Sequence, residues 1–318
     1  MREWSTLVAA IVAEGYTVEG FISMILLTGA GGFVGRTIRR EFLRRCPNEC
    51  LLSVVRRPTD GAGFACCDLR DPSQIERLPL SGVTGLIHVA SATPGSGGDF
   101  FKDNLGATAN LLRALEAAPV RNVVLISSVS VYDFRTARTG PVYLREDSTL
   151  LAEDEYGRSK LLQEWLVQAF AGSRIRTCIF RPSSIYGVDM QRRTLLPIWL
   201  AQALRGEALK LTAPRGYRQN FVYVEDVAAL VCQAFAEETE GTFNLFSQDT
   251  LELPALAETI CRVTGNRRPV GDASQETSAP ALVFDNSRLM AGFHPSLTPL
   301  TEGLRKTAAW LRTIDAGC

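Results

Sequence analysis

Leu26-Leu27-Thr28-Gly29-Ala30-Gly31-Gly32-Phe33-Val34-Gly35 is the stretch whose reading decides the fold. An apolar run ends at Thr28, glycines follow at every third position (Gly29, Gly32, Gly35), and an amphipathic run begins at Phe33. That order reads strand, tight turn, helix. Gly29 can take a backbone conformation closed to other residues, Gly32 leaves room where a diphosphate would approach, and Gly35 lets the helix pack closely on the strand. The amides of Phe33, Val34 and Gly35 at the helix start would then face the phosphates. An ordinary turn of an α/β protein has the same local look, so the residues downstream decide.

Working outward, the chain has 318 residues, 46% hydrophobic and 21% charged. This fits a globular chain with a large core, built as one α/β domain or as one domain with a smaller appendage. Lys plus Arg and Asp plus Glu both number 34, so no global field recruits nucleic acid or an anionic membrane. Eight cysteines at irregular positions, including the adjacent Cys66 and Cys67, form neither a secreted disulfide framework nor paired zinc ligands. With His88 and His294 the only histidines, no metal site is expected. The apolar patch Leu7 to Ala13 is short and followed by Glu14 and Glu19, so neither secretion nor a membrane span is expected and the cytoplasm is the expected location. Met24 sits just before the first strand, and residues 1–23 read as a dispensable extension outside the core.

After the glycine turn, Phe33 to Arg45 is predicted helical, with Val34, Ile38 and Phe42 on one face. The strand Leu51 to Val55 runs into Arg56-Arg57. In a dinucleotide fold this point meets the adenosine ribose, and two guanidiniums there suit the extra phosphate of NADP(H) over NAD(H). A solvated basic turn is the plain alternative. Gly63 to Cys67 makes a third strand ending in Asp68-Leu69, and Gly85 to Ala90 a fourth, whose small end Val89-Ala90-Ser91 leaves space for a cofactor. His88 reads as a packed strand-end residue. Asn104 to Ala118 is predicted helical and Asn122 to Ile126 is the fifth strand, so alternating strands and helices imply a doubly wound parallel sheet with ligands at the carboxyl ends of its strands. That fifth strand delivers Ser127-Ser128-Val129-Ser130 to the ligand edge. Farther on, Tyr156-Gly157-Arg158-Ser159-Lys160 opens a helix with Leu161, Leu162, Trp165 and Leu166 on its expected buried face. Tyr156 and Lys160 share a helix face, and a neighbouring ammonium together with a positive nicotinamide ring would lower a tyrosine that otherwise titrates near 10.

Taken together, these segments resemble the extended short-chain dehydrogenase/reductase family, the NAD(P)-dependent sugar epimerase/dehydratase group. Further ordered pieces carry the resemblance: Asn104-Leu105-Gly106, Arg181-Pro182-Ser183-Ser184-Ile185-Tyr186-Gly187, Asn220 to Val227, Asn244, and Gly303-Leu304 before Trp310. The resemblance implies a Rossmann-like sheet with a smaller C-terminal substrate lobe: a dinucleotide-binding domain over 24–182, to which 217–247 returns, and a lobe of 183–216 and 248–318. It implies Tyr156 as general acid/base, Lys160 as the group that lowers its pKa and holds the nicotinamide ribose, and Ser128 as partner of the reacting oxygen. Cofactor contacts are expected from Asp68, Leu69, Val89, Ala90, Ser91, Asn104, Ser127, Arg181 and Ser183 beside the glycine turn and Arg56-Arg57. Substrate contacts are expected from Ser128, Ser130, Ser184, Arg215 and Arg218. A homodimer through the helices at Asn104 and Tyr156 is also implied.

Two departures from the family narrow the chemistry. Dehydratase and decarboxylase branches place acids just after the serine, where this chain has Val129 and Ser130. What remains is NADPH-dependent reduction of a nucleotide-linked keto sugar, with a nucleotide-sugar 4-epimerase that keeps its NAD(P) as the alternative. A non-catalytic NADP(H)-sensing protein is the reading of another class. Secondly, Gln219 stands where sugar-nucleotide members carry an arginine for the diphosphate, with Arg215 and Arg218 beside it, so either neighbour takes over the phosphate contact or the substrate carries no nucleotide. Arg192-Arg193 read as part of a loop, and the site is expected in the cleft between the lobes.

Overall fold

A computed structural model of the chain describes residues 23–134, 141–191, 194–211, 214–268, 271–272, 275–278 and 281–315. The expected extension (1–22 of it) and Arg192-Arg193 lie outside the described residues. The chain divides into two compact units: one of the residues up to Val131 with Ala152–Phe180 and Ala228–Thr242, the other of Tyr132–Leu151, Arg181–Val227 and Phe243 onward. Segment 132–151, expected with the dinucleotide domain, groups with the second unit because its strand Val142–Leu144 pairs in parallel with Leu282–Phe284. The returning segment is Ala228–Thr242, narrower than 217–247.

The first unit carries β1 (Met24–Thr28), α1 (Phe33–Arg45), β2 (Cys50–Val55), β3 (Phe64–Cys66), the short α2 (Pro72–Ile75), β4 (Val83–His88), a π-helical turn (Phe101–Gly106) leading into α3 (Ala107–Ala114), and β5 (Asn122–Ile126). In the second unit lies β6 (Val142–Leu144); α4 (Glu155–Ala171) and β7 (Arg176–Pro182) then bring the chain back to the first unit and its end. The main sheet has seven strands in the order β12-β7-β5-β4-β1-β2-β3, with β12 at Gly241–Leu245, and the pairings from β3 across to β7 are all parallel. β1, β2 and β5 are buried along their whole length, as expected of a parallel sheet covered on both faces. Order reverses between β4 and β1, so the carboxyl ends of these neighbouring strands form the crevice where such sheets bind ligands.

Three local expectations are corrected. On α1 the buried set is Gly35, Thr37, Ile38 and Phe42, with Val34 only partly covered. The helix expected from Asn104 to Ala118 starts as the π-helical turn and is regular only over α3. On α4, Trp165 is 55% exposed while Ser159, Lys160, Gln163 and Glu164 are buried beside Leu161. The face of α4 turned inward is therefore a polar seam, tolerated because its groups find hydrogen-bond partners there.

In the second unit lie β8 (Ser184–Tyr186), α5 (Leu195–Leu204), β9 (Lys210–Leu211), β10 (Pro214–Arg215), β11 (Arg218–Tyr223), β13 (Thr250–Glu252), α7 (Leu253–Thr264), β14 (Gly271–Asp272), β15 (Gln275–Ser278), β16 (Leu282–Phe284), α8 (Ser287–Phe293) and α9 (Leu300–Asp315), while α6 (Val224–Ala236) leads back to the first unit. A three-stranded sheet β13-β11-β8 is its frame, and α7 packs on both α5 and α9. Gly265 ends α7 in the left-handed conformation at φ 79°, the usual helix stop.

Candidate active site

At the β1 end, Gly29 has φ 71°, and a Cβ added there would lie 2.6 Å from the Ala90 amide nitrogen. A Cβ on Gly35 would run into the Gly29 carbonyl oxygen. The turn thus admits glycine at both positions for steric reasons visible in the backbone. Gly32 caps α1 in an extended conformation with no side-chain cap bond, and the first turn of α1 carries no acid. A Cβ-free cradle under an uncapped helix N-terminus fits the diphosphate of a dinucleotide, an anion that the first amides and the helix dipole would bind. Phe33, Val34 and Gly35 are the residues that would supply those amides.

Thr28 ties this turn to β4. Its Oγ1 accepts from the amides of Val89 and Ala90, each at 3.2 Å, and lies 2.7 Å from His88 Nδ1. Because two amides already donate to it, the threonine proton goes to Nδ1, which leaves the His88 Nε2–H to donate to Thr108 Oγ1 at 2.8 Å. Gln163 Nε2 also donates to Thr108 Oγ1, at 2.7 Å. His88 is buried, and burial together with the Lys160 charge pushes it down to about 3, so it is neutral and structural. Asn104, an expected cofactor contact, accepts from the Ala92 amide at 2.6 Å and donates to Ser159 Oγ at 2.8 Å, and so pins the loop after β4, with Ser91 in it, to α4.

Arg56 and Arg57 are both exposed immediately after β2. Asp68 accepts a forked pair of bonds from Arg70, which holds its carboxyl below the usual range, and the Leu69 carbonyl accepts from Asn110 Nδ2.

The chemistry concentrates where α4 meets the end of β5. Three consecutive residues of the strand end are gripped by three helix residues one turn apart. Lys160 Nζ donates to the Ile126 carbonyl at 2.6 Å, Ser127 Oγ donates to Glu164 Oε1 at 2.5 Å, and Ser128 lies beside the Tyr156 side chain. Ser127 is thereby engaged inside the protein. Ser128 Oγ also accepts from the Ser130 amide at 3.1 Å. Asp154 caps α4 by accepting from the Gly157 amide at 2.7 Å. A Cβ on Gly157 would strike the Ser130 carbonyl, so that glycine sets how closely Tyr156 approaches the serines. The Phe100 ring meets Tyr156 edge-on, centroids 5.6 Å apart.

Burial pushes Tyr156 up to about 12, the Ser128 hydrogen bond opposing and Asp154 adding to the rise. Desolvation is the largest cause of this rise. Burial likewise brings Lys160 down to about 7, opposed by Glu164. The arrangement presents a protonated phenol, a hydroxyl beside it and an ammonium near its titration midpoint at neutral pH. That set can donate a proton to an oxygen and carry the compensating charge.

Expected residues in the second unit are placed differently. Arg181 lies with its guanidinium 5.1 Å from the Tyr132 ring centroid and donates to the Tyr132 hydroxyl at 3.1 Å and the Glu146 carbonyl at 3.2 Å. Tyr132 donates to Asn244, whose amide nitrogens are held by Glu146 and Leu144. Arg181 thus serves the interior of this unit. Ser183 Oγ donates to Asn220 Oδ1 at 2.7 Å, and Asn220 Nδ2 reaches the carbonyls of Ser247 and Asp249. Ser184 is exposed; Arg218 is exposed and 3.5 Å from Glu252; the side chain of Arg215 lies outside the described residues. Gln219 donates to the Tyr217 hydroxyl at 3.3 Å, and its Oε1 is buried with no partner among the described residues. No three potential metal-binding side chains cluster among the described residues.

Sequence reasoning passed over Glu164, Gly157, Phe100 and the Thr28–His88–Thr108–Gln163 chain. Glu164 had a signal: with Tyr156 and Lys160 it completes a series at four-residue spacing. The others are recognisable only once partners far apart in sequence meet.

The chain resembles known proteins over nearly its whole length. A dTDP-4-dehydro-6-deoxy-D-allose reductase of a Streptomyces species is 24% identical over 91% of this chain and 96% of its own. The trifunctional UDP-glucose 4,6-dehydratase/UDP-4-keto-6-deoxy-D-glucose 3,5-epimerase/UDP-4-keto-L-rhamnose-reductase of Arabidopsis thaliana is 23% identical over 90% of this chain, which spans only 46% of that protein. The crystal structure of UDP-N-acetylglucosamine 4-epimerase from Bacillus cereus superposes with a TM-score of 0.76 at 24% identity, covering 91% of this chain and 96% of that one. Residues 25–245, which contain the glycine turn, the strand end and the Tyr156–Lys160 helix, match the model of one family, and the chain belongs to it: the NAD dependent epimerase/dehydratase family.

Proposed function

We propose that the protein is an NADPH-dependent reductase of a nucleotide-linked keto sugar. The observation that carries this reading is the register of α4 against the β5 end, which sets Ser128 against the Tyr156 side chain with Lys160 one turn behind. When bound, the dinucleotide supplies hydride to a carbonyl carbon. Tyr156, held protonated by burial, gives its proton to the carbonyl oxygen, and Ser128 donates a hydrogen bond to the same oxygen. The ammonium of Lys160 offsets the negative charge left on Tyr156. Val129 and Ser130 provide no carboxylate to eliminate water, which favours simple reduction over dehydration.

Arg56 and Arg57 support NADP(H), because their exposed guanidiniums at the end of β2 match a ribose phosphate. Ser184, Arg215 and Arg218 belong to the second unit, which takes the role of substrate lobe. The exposed Trp165 of α4 and Phe101 beside α3 favour a homodimer through those helices. No helix among the described residues is long and apolar enough to cross a membrane, in keeping with a cytoplasmic enzyme.

The test combines fluorescence titration with NADPH and NADH and mass spectrometry of the purified protein. The reading expects a protein that binds NADPH more tightly and oxidises it with a dTDP- or UDP-linked 4-keto-6-deoxy sugar. Tighter binding of NADH, or a copurified oxidised cofactor with interconversion of two sugars, would replace it with the 4-epimerase reading.

A further inference from the structure

Glu164 is a carboxylate 1% exposed, inside a seam where an uncompensated charge is costly. It sits one turn beyond Lys160 on the buried face of α4, and the Ser127 hydroxyl donates to it. The groups facing Lys160 can be named element by element. β5 presents the Ile126 carbonyl, β4 presents the neutral His88, and α4 itself presents Tyr156 one turn before and Glu164 one turn after. Of these, Glu164 alone brings negative charge.

We propose that Glu164 is a positioning residue for Lys160: its buried carboxylate, fixed by Ser127, keeps the Lys160 ammonium charged and turned to the β5 end, so that the proton transfer of Tyr156 has a cation behind it. The proposal rests on the role given above to Tyr156 and Lys160. It accounts for what holds Lys160 near its midpoint at neutral pH rather than wholly neutral, since burial lowers Lys160 and Glu164 raises it. It also explains the three-fold clip, because Ser127 orients the carboxylate while its neighbours Ile126 and Ser128 receive Lys160 and Tyr156.

The chain has four lysines (Lys102, Lys160, Lys210, Lys306), so the side-chain signal of Lys160 can be followed by NMR in the full chain labelled with 13C-lysine and assigned with Lys160→Arg. Glu164→Gln preserves an acceptor for Ser127 and removes the charge; the Lys160 midpoint is expected to fall by about one pH unit. Ser127→Ala keeps the charge and is expected to move it much less. Glu164→Asp draws the charge back by one methylene and is expected to give a smaller fall, which carries the test should the glutamine variant not fold. In turnover, the alkaline limb of kcat moves to lower pH in Glu164→Gln, with KM for NADPH retained. An unmoved Lys160 titration in the folded Glu164 variants overturns the proposal. Because that titration needs no substrate, a failure to reduce any keto sugar counts against the proposed function alone.

Discussion

The seam of the first unit and the buried amides of the second are both polar interiors, built in opposite ways. Along α4, the groups on one side come from a single helix at one-turn intervals, and those on the other from three consecutive residues of β5 and its end. Helix period alone therefore aligns them. In the second unit, Asn220 reaches Ser183, Ser247, Asp249 and Thr250, and Asn244 reaches Tyr132, Leu144, Glu146 and Asp285. Those amides bind segments far apart in sequence into one body. A change in the seam should alter chemistry with little effect on folding, and a change at the amides should do the reverse.

The largest expected effect is in the seam. Tyr156→Phe should lower kcat by roughly a thousand-fold, the scale of a lost general acid, while thermal midpoint and NADPH affinity stay near wild type. Loss of folding instead would break the contrast. Next comes a pH effect from the same unit. His88 is pushed down to about 3 from the ordinary histidine value of 6.5, so the unfolded chain takes up this proton first. Its contribution to stability is complete above about 6.5 and drains away as pH falls toward 3. His88→Gln, followed by urea denaturation across that range, should flatten the acid slope; an unchanged slope would place the titrating group elsewhere.

In the second unit, Asn220→Ala should cost about 2–3 kcal/mol in urea denaturation, because it strands the buried groups around Ser183 and Ser247. NADPH binding, proposed above for the first unit, should survive. The smallest effect expected is at the β2 end: Arg56→Ala with Arg57→Ala should weaken NADPH by about tenfold and leave NADH unchanged, as read by fluorescence titration. Equal loss for both would make the arginines general phosphate contacts.

The same contrast explains what was legible in the sequence. The bounds of α1 and β5 and the glycine turn follow from local period and from steric rules that act over a few residues. The shared helix face of Tyr156 and Lys160 follows for the same reason. Trp165 was misplaced because an apolar residue on α4 was assumed to face inward, while the inward face is claimed by Gln163 and Glu164. The partners of Arg181, Tyr132 and Glu146, lie too far off in sequence for any local pattern to reveal. The seven-strand parallel sheet was implied by alternating strands and helices, whereas the grouping of 132–151 with the second unit depends on a pairing with Leu282–Phe284 that no local pattern signals.

Whether this chain uses Tyr156 to protonate a sugar carbonyl as hydride arrives from NADPH can be read with NADPH deuterated at the transferred position. Incubation with a nucleotide-linked 4-keto-6-deoxy sugar should consume NADPH mole for mole and leave deuterium on the new carbinol carbon, and Tyr156→Phe should suppress both. Sugar interconversion with no net NADPH consumption and no deuterium in the product would contradict it.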